Sequence, residues 1–348
     1  MAKDVQIKES PEYLRLSLAA AMTLGFRRGR FYRNARLHCL NLLLTYEEGC
    51  FANCAYCGLA RERSGKFAQK SFIHVEWPVY ELEAVLERMD KYGDGLERIC
   101  ISMITNPKAR QHLGEIMRGI RARTDLPISL LITPTILDEN DLLEFKESGA
   151  DRVGIAIDAA TPDLFERLRG KSIHGPHRWE RYWEMVTIAL RVFGKGKVGV
   201  HLVVGLGETE KEMIAIIQRV HDLGSHTHLF SFFPERGSLL EDLSQPPMGQ
   251  YRRIQLTRFL IEENMVSFKD FAFEERERIK EFGMPKDRLL SVIDSGLPFM
   301  TPGCPGKDGR MACNRPYGNC FPGPNIRNYP FSPTSEDISR IRQQIWDY

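Results

Sequence analysis

Three cysteines fall within eight residues, Cys50, Cys54 and Cys57, in the run Glu48-Gly49-Cys50-Phe51-Ala52-Asn53-Cys54-Ala55-Tyr56-Cys57-Gly58. Thiolates so spaced can close around one small inorganic core but cannot all reach a distant partner. A structural zinc site would ordinarily take a fourth cysteine or histidine from close by, and this run offers none. A cubane iron–sulfur cluster held by three cysteines keeps one iron open, and an open iron is where chemistry can happen. The competing readings are a three-cysteine zinc loop and a chance grouping.

A second set stands near the C-terminus, Cys304, Cys313 and Cys320, spaced Cys-x8-Cys-x6-Cys among glycines and prolines. Such a segment cannot build a core of its own, so an inorganic centre is expected to organise it. A second iron–sulfur cluster is favoured over zinc, because the polar residues nearby are asparagine and arginine; its fourth ligand is left open. Of the three, Cys320 is the one that an ordinary free cysteine would explain. Cys39 and Cys100 lie in apolar runs and read as small buried hydrophobes.

Composition narrows the class. The chain has 348 residues, and 48 basic against 46 acidic side chains give a net charge of +2, which argues against a nucleic-acid footprint. Eight cysteines bunched toward the two ends of the sequence suit metal chemistry in a reducing compartment better than a disulfide framework. The charged start, Met1 to Glu9, lacks the apolar stretch of a signal peptide, and no apolar run approaches the roughly 20 residues that span a bilayer. A soluble, cytoplasmic protein without a membrane partner is expected.

The elements that must position these cysteines alternate. Residues 10–34 read as an amphipathic helix ending in the basic stretch Arg27-Arg28-Gly29-Arg30. Strands are expected at 40–46, 98–103, 128–132, 152–157, 198–204 and 228–233, and helices at 81–91, 109–123, 139–148, 162–169, 179–193 and 209–223. Six βα repeats imply a parallel sheet covered by helices, closed as a partial (β/α)6 barrel of the TIM type, with chemistry at the C-terminal mouth of the strands. The expected division is an N-terminal helical segment over 1–35, the partial barrel over 36–235, and a cysteine-containing extension over 236–348, whose residues 250–280 read as helical and highly charged.

The spacing of Cys50, Cys54 and Cys57, with the aromatic Tyr56 before the third cysteine, resembles the radical S-adenosylmethionine (SAM) superfamily. The resemblance covers about residues 36–235. It implies a 4Fe–4S cluster on the three cysteines, SAM bound through its amino and carboxylate groups to the open iron, and reductive cleavage to a 5'-deoxyadenosyl radical. It also implies cofactor contacts at strand ends. Asp158 matches a ribose contact of the biotin-synthase-like branch, although it reads equally well as the cap of the next helix. One of Arg167, Arg169 and Lys171 would pair with the methionyl carboxylate, Arg169 being preferred. Gly205 and Gly207 match the family's glycine-rich fifth strand, whose backbone passes close under the adenosyl group. The chain departs from the family at Arg98 to Thr105, which lacks a Gly-Gly-Glu element; Ser102, Thr105 or Asn106 are the available substitutes.

The segments Gly303-Cys304-Pro305-Gly306-Lys307-Asp308-Gly309 and Cys313-Asn314-Arg315-Pro316-Tyr317-Gly318-Asn319 further resemble the biotin-synthase-related proteins that work in pairs as two-component lipoyl synthases. That resemblance implies a second 4Fe–4S cluster as sulfur donor, carried on a flexible flap at the barrel mouth, and an octanoylated lipoyl carrier domain or glycine-cleavage H-type protein as substrate. It also implies a second radical SAM protein as partner and a reductant such as ferredoxin or flavodoxin. The alternatives are a radical SAM enzyme that modifies peptide or RNA, using the auxiliary cluster for electron transfer or substrate ligation, and a non-enzymatic iron–sulfur scaffold.

Overall fold

A computed structural model of the protein describes residues 8–72, 75–318 and 320–347. Residues 1–7 of the expected N-terminal segment and Asn319 of the C-terminal motif lie outside the described residues.

Eight strands form one sheet: β1 (Tyr13–Leu16), β2 (Cys39–Leu44), β3 (Val79–Glu81), β4 (Arg98–Ser102), β5 (Ile128–Ile132), β6 (Ala150–Asp158), β7 (Val198–Val204) and β8 (His226–Ser231). Their order is β3-β1-β2-β4-β5-β6-β7-β8, and the six strands from β2 to β8, β3 aside, run parallel. These are the six repeats expected from the apolar runs. They are buried on both faces, as strands covered by helices must be.

The covering helices match as well. Following the short α1 (Leu18–Thr23), they are α2 (Leu82–Tyr92), α3 (Ala109–Arg121), α4 (Glu139–Glu147), α5 (Pro162–Arg169), α6 (Trp179–Phe193) and α7 (Glu210–Asp222). Local sequence starts several of them. Asp138 and Asp141 form a capping box on α4, Thr209 and Glu212 form one on α7, and Thr161 caps α5 with Pro162 at its first position.

The N-terminal segment differs from the expected long helix. Tyr13 to Leu16 is a strand, antiparallel to both β2 and β3, and the helix is confined to α1. Leu14 and Leu16 alternate with Arg15, a period of two. Arg15 is 1% exposed because its guanidinium donates to the carbonyls of Trp77 at 2.8 Å and Phe67 at 3.1 Å, and also to that of Lys70.

Beyond the barrel come α8 (Met248–Glu262), α9 (Lys286–Ser295) and α10 (Ser335–Ile345). The charges of α8 face inward. Arg253 pairs with Glu210 at 2.6 Å, both almost fully buried, and Arg252 donates to the carbonyls of Ile326 and Arg327. The extension is thus fastened to α7 through buried polar bonds. Among the described residues no helix is long and apolar enough to cross a membrane.

Candidate active site

The loop after β2 carries Cys50, Cys54 and Cys57 at the C-terminal end of the barrel. Backbone bonds hold it in place: Phe51 N–H donates to Thr105 O at 2.7 Å, Ala55 N–H to Leu168 O at 2.8 Å, and Arg61 N–H to Ala52 O at 2.8 Å. Asn53 and Asn106 add side-chain bonds to Ile173 O at 2.8 Å and Gly49 O at 3.1 Å. The three thiols lie within one another's electrostatic reach, and burial pushes each of them up. Backbone N–H groups already point at sulfur, Leu59 to Cys57 at 3.4 Å and Ala52 and Thr105 to Cys50. Buried thiols with N–H donors aimed at them lack only a countercharge, and an iron–sulfur core supplies one. No three His, Cys, Asp or Glu side chains among the described residues converge as a mononuclear metal site requires. Three thiols in one loop with no fourth cysteine or histidine beside them fit a three-cysteine cluster better than a four-coordinate zinc.

Asp158 ends β6 with φ of 64°, in the left-handed region that Asp tolerates better than most residues. It does not cap α5; Thr161 does, accepting from Leu164 N–H at 3.2 Å. The carboxylate is free to face the site, where the hydroxyl of the half-buried Tyr56 donates to it. Arg169 Nη1 approaches it at 3.5 Å.

Arg169 takes a supporting place. It is 4% exposed, donates to the carbonyls of Ala156 and Ile157 and to Tyr182 Oη at 3.1 Å, and lies beside Cys54, whose thiol it pulls down against the effect of burial. Arg167 instead pairs with Asp163 on the exposed face of α5, and Lys171 is exposed. Of the residues available for the methionyl amine, Thr105 bonds Thr133 at 3.0 Å and Asn106 bonds the cysteine loop, whereas Ser102 lines the cavity described below.

Gly205 and Gly207 follow β7 with φ of 102° and 115°. A Cβ at Gly205 would lie 2.6 Å from Pro246 Cδ, so the turn and its packing already demand glycine there. The turn is tied by Glu208, which accepts from Gly205 N–H at 2.7 Å and Leu206 N–H at 2.9 Å. Burial pushes the Glu208 carboxyl up to about 7 against the opposing pull of those bonds.

A cavity of about 460 Å³ runs through the barrel. Tyr56, Cys57 and Asp158 line its upper end, and Cys100, Cys304 and Cys313 its lower end. The C-terminal segment spans the cavity: Phe321 packs against Phe233, just past the end of β8, with ring centroids 5.2 Å apart, while Cys304 and Cys313 lie far from that mouth. It enters at the opposite end of the strands, fastened by Arg98, the first residue of β4, whose Nε donates to Pro305 O at 2.5 Å. Asn314 completes the fastening, donating to Arg36 O at 2.6 Å and Pro330 O at 3.1 Å and accepting from His38 N–H at 3.3 Å just before β2.

Cys313 and Cys39 are within hydrogen-bonding reach of each other, and that contact, with help from Arg315, pulls the Cys313 thiol down against the effect of burial. Cys320 lines the same cavity, but its sulfur accepts from Arg327 N–H at 3.4 Å, and the charges nearest it are Arg327 and Arg252.

Several cavity residues escaped the sequence reading. His201 on β7 and His228 on β8 bond each other, Nε2 to Nδ1, at 3.1 Å, and burial keeps both neutral, His201 pushed down to about 3. Glycines on the neighbouring strands make the room: a Cβ at Gly154 would come 3.0 Å from His201 Nε2, and one at Gly199 2.9 Å from His228 Cε1. Gly154 and Gly199 inside strands were the available signal, since such glycines often mark a close approach. Arg315 packs its guanidinium 4.0 Å from the Phe230 ring centroid, and its buried Nε has no hydrogen-bond partner.

The sequence profile of the Radical SAM superfamily matches residues 46–220, the stretch that holds the cysteine loop, Asp158 and the glycine turn. The chain belongs to the radical SAM superfamily. Among curated relatives, the biotin synthase of Magnetococcus marinus is 26% identical over 249 residues, 70% of this chain and 71% of that protein. The GTP 3',8-cyclase of Microcystis aeruginosa is 30% identical over 112 residues, which is 32% of this chain and 33% of that protein. Among solved structures, HydG, a maturase of the FeFe-hydrogenase, aligns with a TM-score of 0.54 at 12% identity, covering 94% of this chain and 84% of its own. Methylornithine synthase (PylB) aligns with a TM-score of 0.50 at 15% identity, covering 70% and 66%. At these identities the solved structures show the shared fold alone.

Membership assigns the radical SAM chain its 4Fe–4S cluster and SAM. Cys50, Cys54 and Cys57 are the residues that would hold the cluster, which when bound would supply the electron for reductive cleavage of SAM. The chain's own part would be to hold the thiolates, to present the Asp158 carboxylate beside them, and to line the cavity below with mostly apolar side chains.

Proposed function

We propose that this radical SAM enzyme inserts sulfur into an unactivated C–H bond, completing a lipoyl group on an octanoylated carrier protein together with a second radical SAM protein. The observation that carries the reading is one cavity lined both by Cys57 of the cysteine loop, with Asp158 and Tyr56, and by Cys100, Cys304 and Cys313. An unactivated methylene has no leaving group, so a C–S bond there requires hydrogen abstraction first and a sulfur source within contact second. A radical formed at the Asp158 end and a sulfide held at the Cys304 end meet that requirement for one substrate lying between them. The hydrogen leaves as part of 5'-deoxyadenosine, the carbon radical bonds to sulfide, and the surplus electron passes to the iron of the auxiliary cluster, which is consumed as the sulfur substrate.

The channel wall favours an alkyl chain. Leu18, Met22, Phe31, Leu130, Val203 and Phe230 supply aliphatic and aromatic surface, which suits an unbranched acyl arm better than a charged peptide or a base. Similarity to proteins named biotin synthase over 70% of this chain supports the same direction.

The test uses anaerobically reconstituted protein with SAM, a ferredoxin- or flavodoxin-type reductant, the partner enzyme and an octanoyl-lysyl carrier domain. Mass spectrometry of the carrier should show sulfur replacing hydrogen on the octanoyl chain. Abundant 5'-deoxyadenosine with an unaltered carrier, alongside modification of an unrelated peptide or RNA, would overturn the reading.

A further inference from the structure

We propose that Cys100, Cys304 and Cys313 hold the auxiliary centre and that Cys320 stands outside its ligand set. The inference rests on the two-centre reading above and assigns its donors. Cys100 is the third residue of β4, in register with Asn41 of β2, and its side chain faces the channel floor. Cys304 and Cys313 are drawn together because the N–H groups of Ala312 and Cys313 both donate to Cys304 O, at 3.1 and 3.0 Å.

The Ser129 hydroxyl on β5 is within hydrogen-bonding reach of both Cys100 and Cys304. It is bonded to Ile99 O at 3.4 Å, which fixes it between the two thiols. Three thiols thus flank one space on the cavity wall, where an inorganic core could be held between them.

The other two cysteines of the region are placed differently. Cys39 is fully buried on the same face of β2 as the cavity-lining Asn41, which donates to its sulfur at 3.9 Å, and it bonds Cys313 without itself lining the cavity, so it acts as a hydrogen-bond partner to a ligand. The groups that act on the Cys320 sulfur are Arg327 and Arg252, whereas Cys100 and Cys304 each lie within electrostatic reach of Cys313. Arg315, against Phe230 on the same wall, brings a permanent cation and an unpartnered Nε within electrostatic reach of Cys100 and Cys313, and Arg98 and Arg152 do the same for Cys304, as an anionic core requires.

Full-length protein reconstituted anaerobically decides the matter by iron and acid-labile sulfide content and by the electron paramagnetic resonance spectrum of the reduced form. Wild type should carry about eight irons. Cys100→Ala, Cys304→Ala and Cys313→Ala should each fall to about four, lose one of two spectral components and still release 5'-deoxyadenosine. Cys320→Ala should keep about eight irons and both components. The conservative Cys100→Ser keeps the side chain's size and should still lose or shift the second component, while Cys320→Ser leaves it in place. Loss of the second centre in the Cys320 variants with retention in the Cys100 variants would overturn the ligand assignment while leaving two centres intact. About four irons in wild type would instead overturn the two-centre reading itself.

Discussion

Alanine at Cys50, Cys54 and Cys57 together should reduce 5'-deoxyadenosine formation to the level of a protein-free control. The three thiols sit in one another's reach in a loop pinned to Thr105 and Leu168. Cys39, Cys100, Cys304 and Cys313 belong to the other end of the barrel. The variant should fold, because the loop keeps its backbone bonds, and it should keep the iron of the lower site. Chromatography of quenched reactions after anaerobic reconstitution measures the product. Undiminished 5'-deoxyadenosine from the triple variant would remove the cysteine loop from the chemistry.

Arg169→Ala should cost about 3–5 kcal/mol of stability, the range seen when one partner of a buried charge pair is removed. The truncation leaves Asp158 without its cation, the carbonyls of Ala156 and Ile157 without their donor, and Tyr182 without a partner from α5. Arg169→Lys should restore only a minor part of that loss, since one ammonium cannot replace a fork that spans two carbonyls and a phenol. Thermal unfolding of the two variants, read beside SAM affinity, measures both consequences. SAM binding should weaken with stability, because Asp158 and the Tyr56 hydroxyl that donates to it lose their fixed position. An Arg169→Ala protein as stable as wild type would show the guanidinium to be idle.

Much of the barrel was legible because parallel strands buried on both faces write continuous apolar runs, and the capping residues Asp138, Thr161 and Thr209 mark where helices start. The N-terminal strand was not, since a buried Arg15 within four residues reads as the polar face of a helix until its three carbonyl acceptors are known. The charge of α8 misled in the same way: Arg252 and Arg253 look solvated in sequence, and only folding brings Glu210 and the 326–327 backbone to them.

The upper end of the site could be read from local spacing, because Cys50, Cys54, Tyr56 and Cys57 occupy one loop. Asp158 could be named but its role could not, because the choice between cap and site depended on Thr161 taking the cap. The lower end rests on contacts between distant segments, Arg98 to Pro305 and Asn314 to Arg36. Cys100 within Arg98-Ile99-Cys100-Ile101 has the same sequence setting whether it packs or binds. Nothing local distinguishes a buried ligand from a buried hydrophobe.

The central claim is that one alkyl chain lies in the channel between the two cysteine sets, with the radical made above it. A carrier domain bearing a fully deuterated octanoyl chain, incubated with the reconstituted protein, its partner, SAM and reductant, tests this directly. The account predicts deuterium in the 5'-deoxyadenosine, transferred from a C–D bond of the chain, as sulfur appears on the carrier. 5'-Deoxyadenosine formed without deuterium, while the carrier is present and bound, would contradict it.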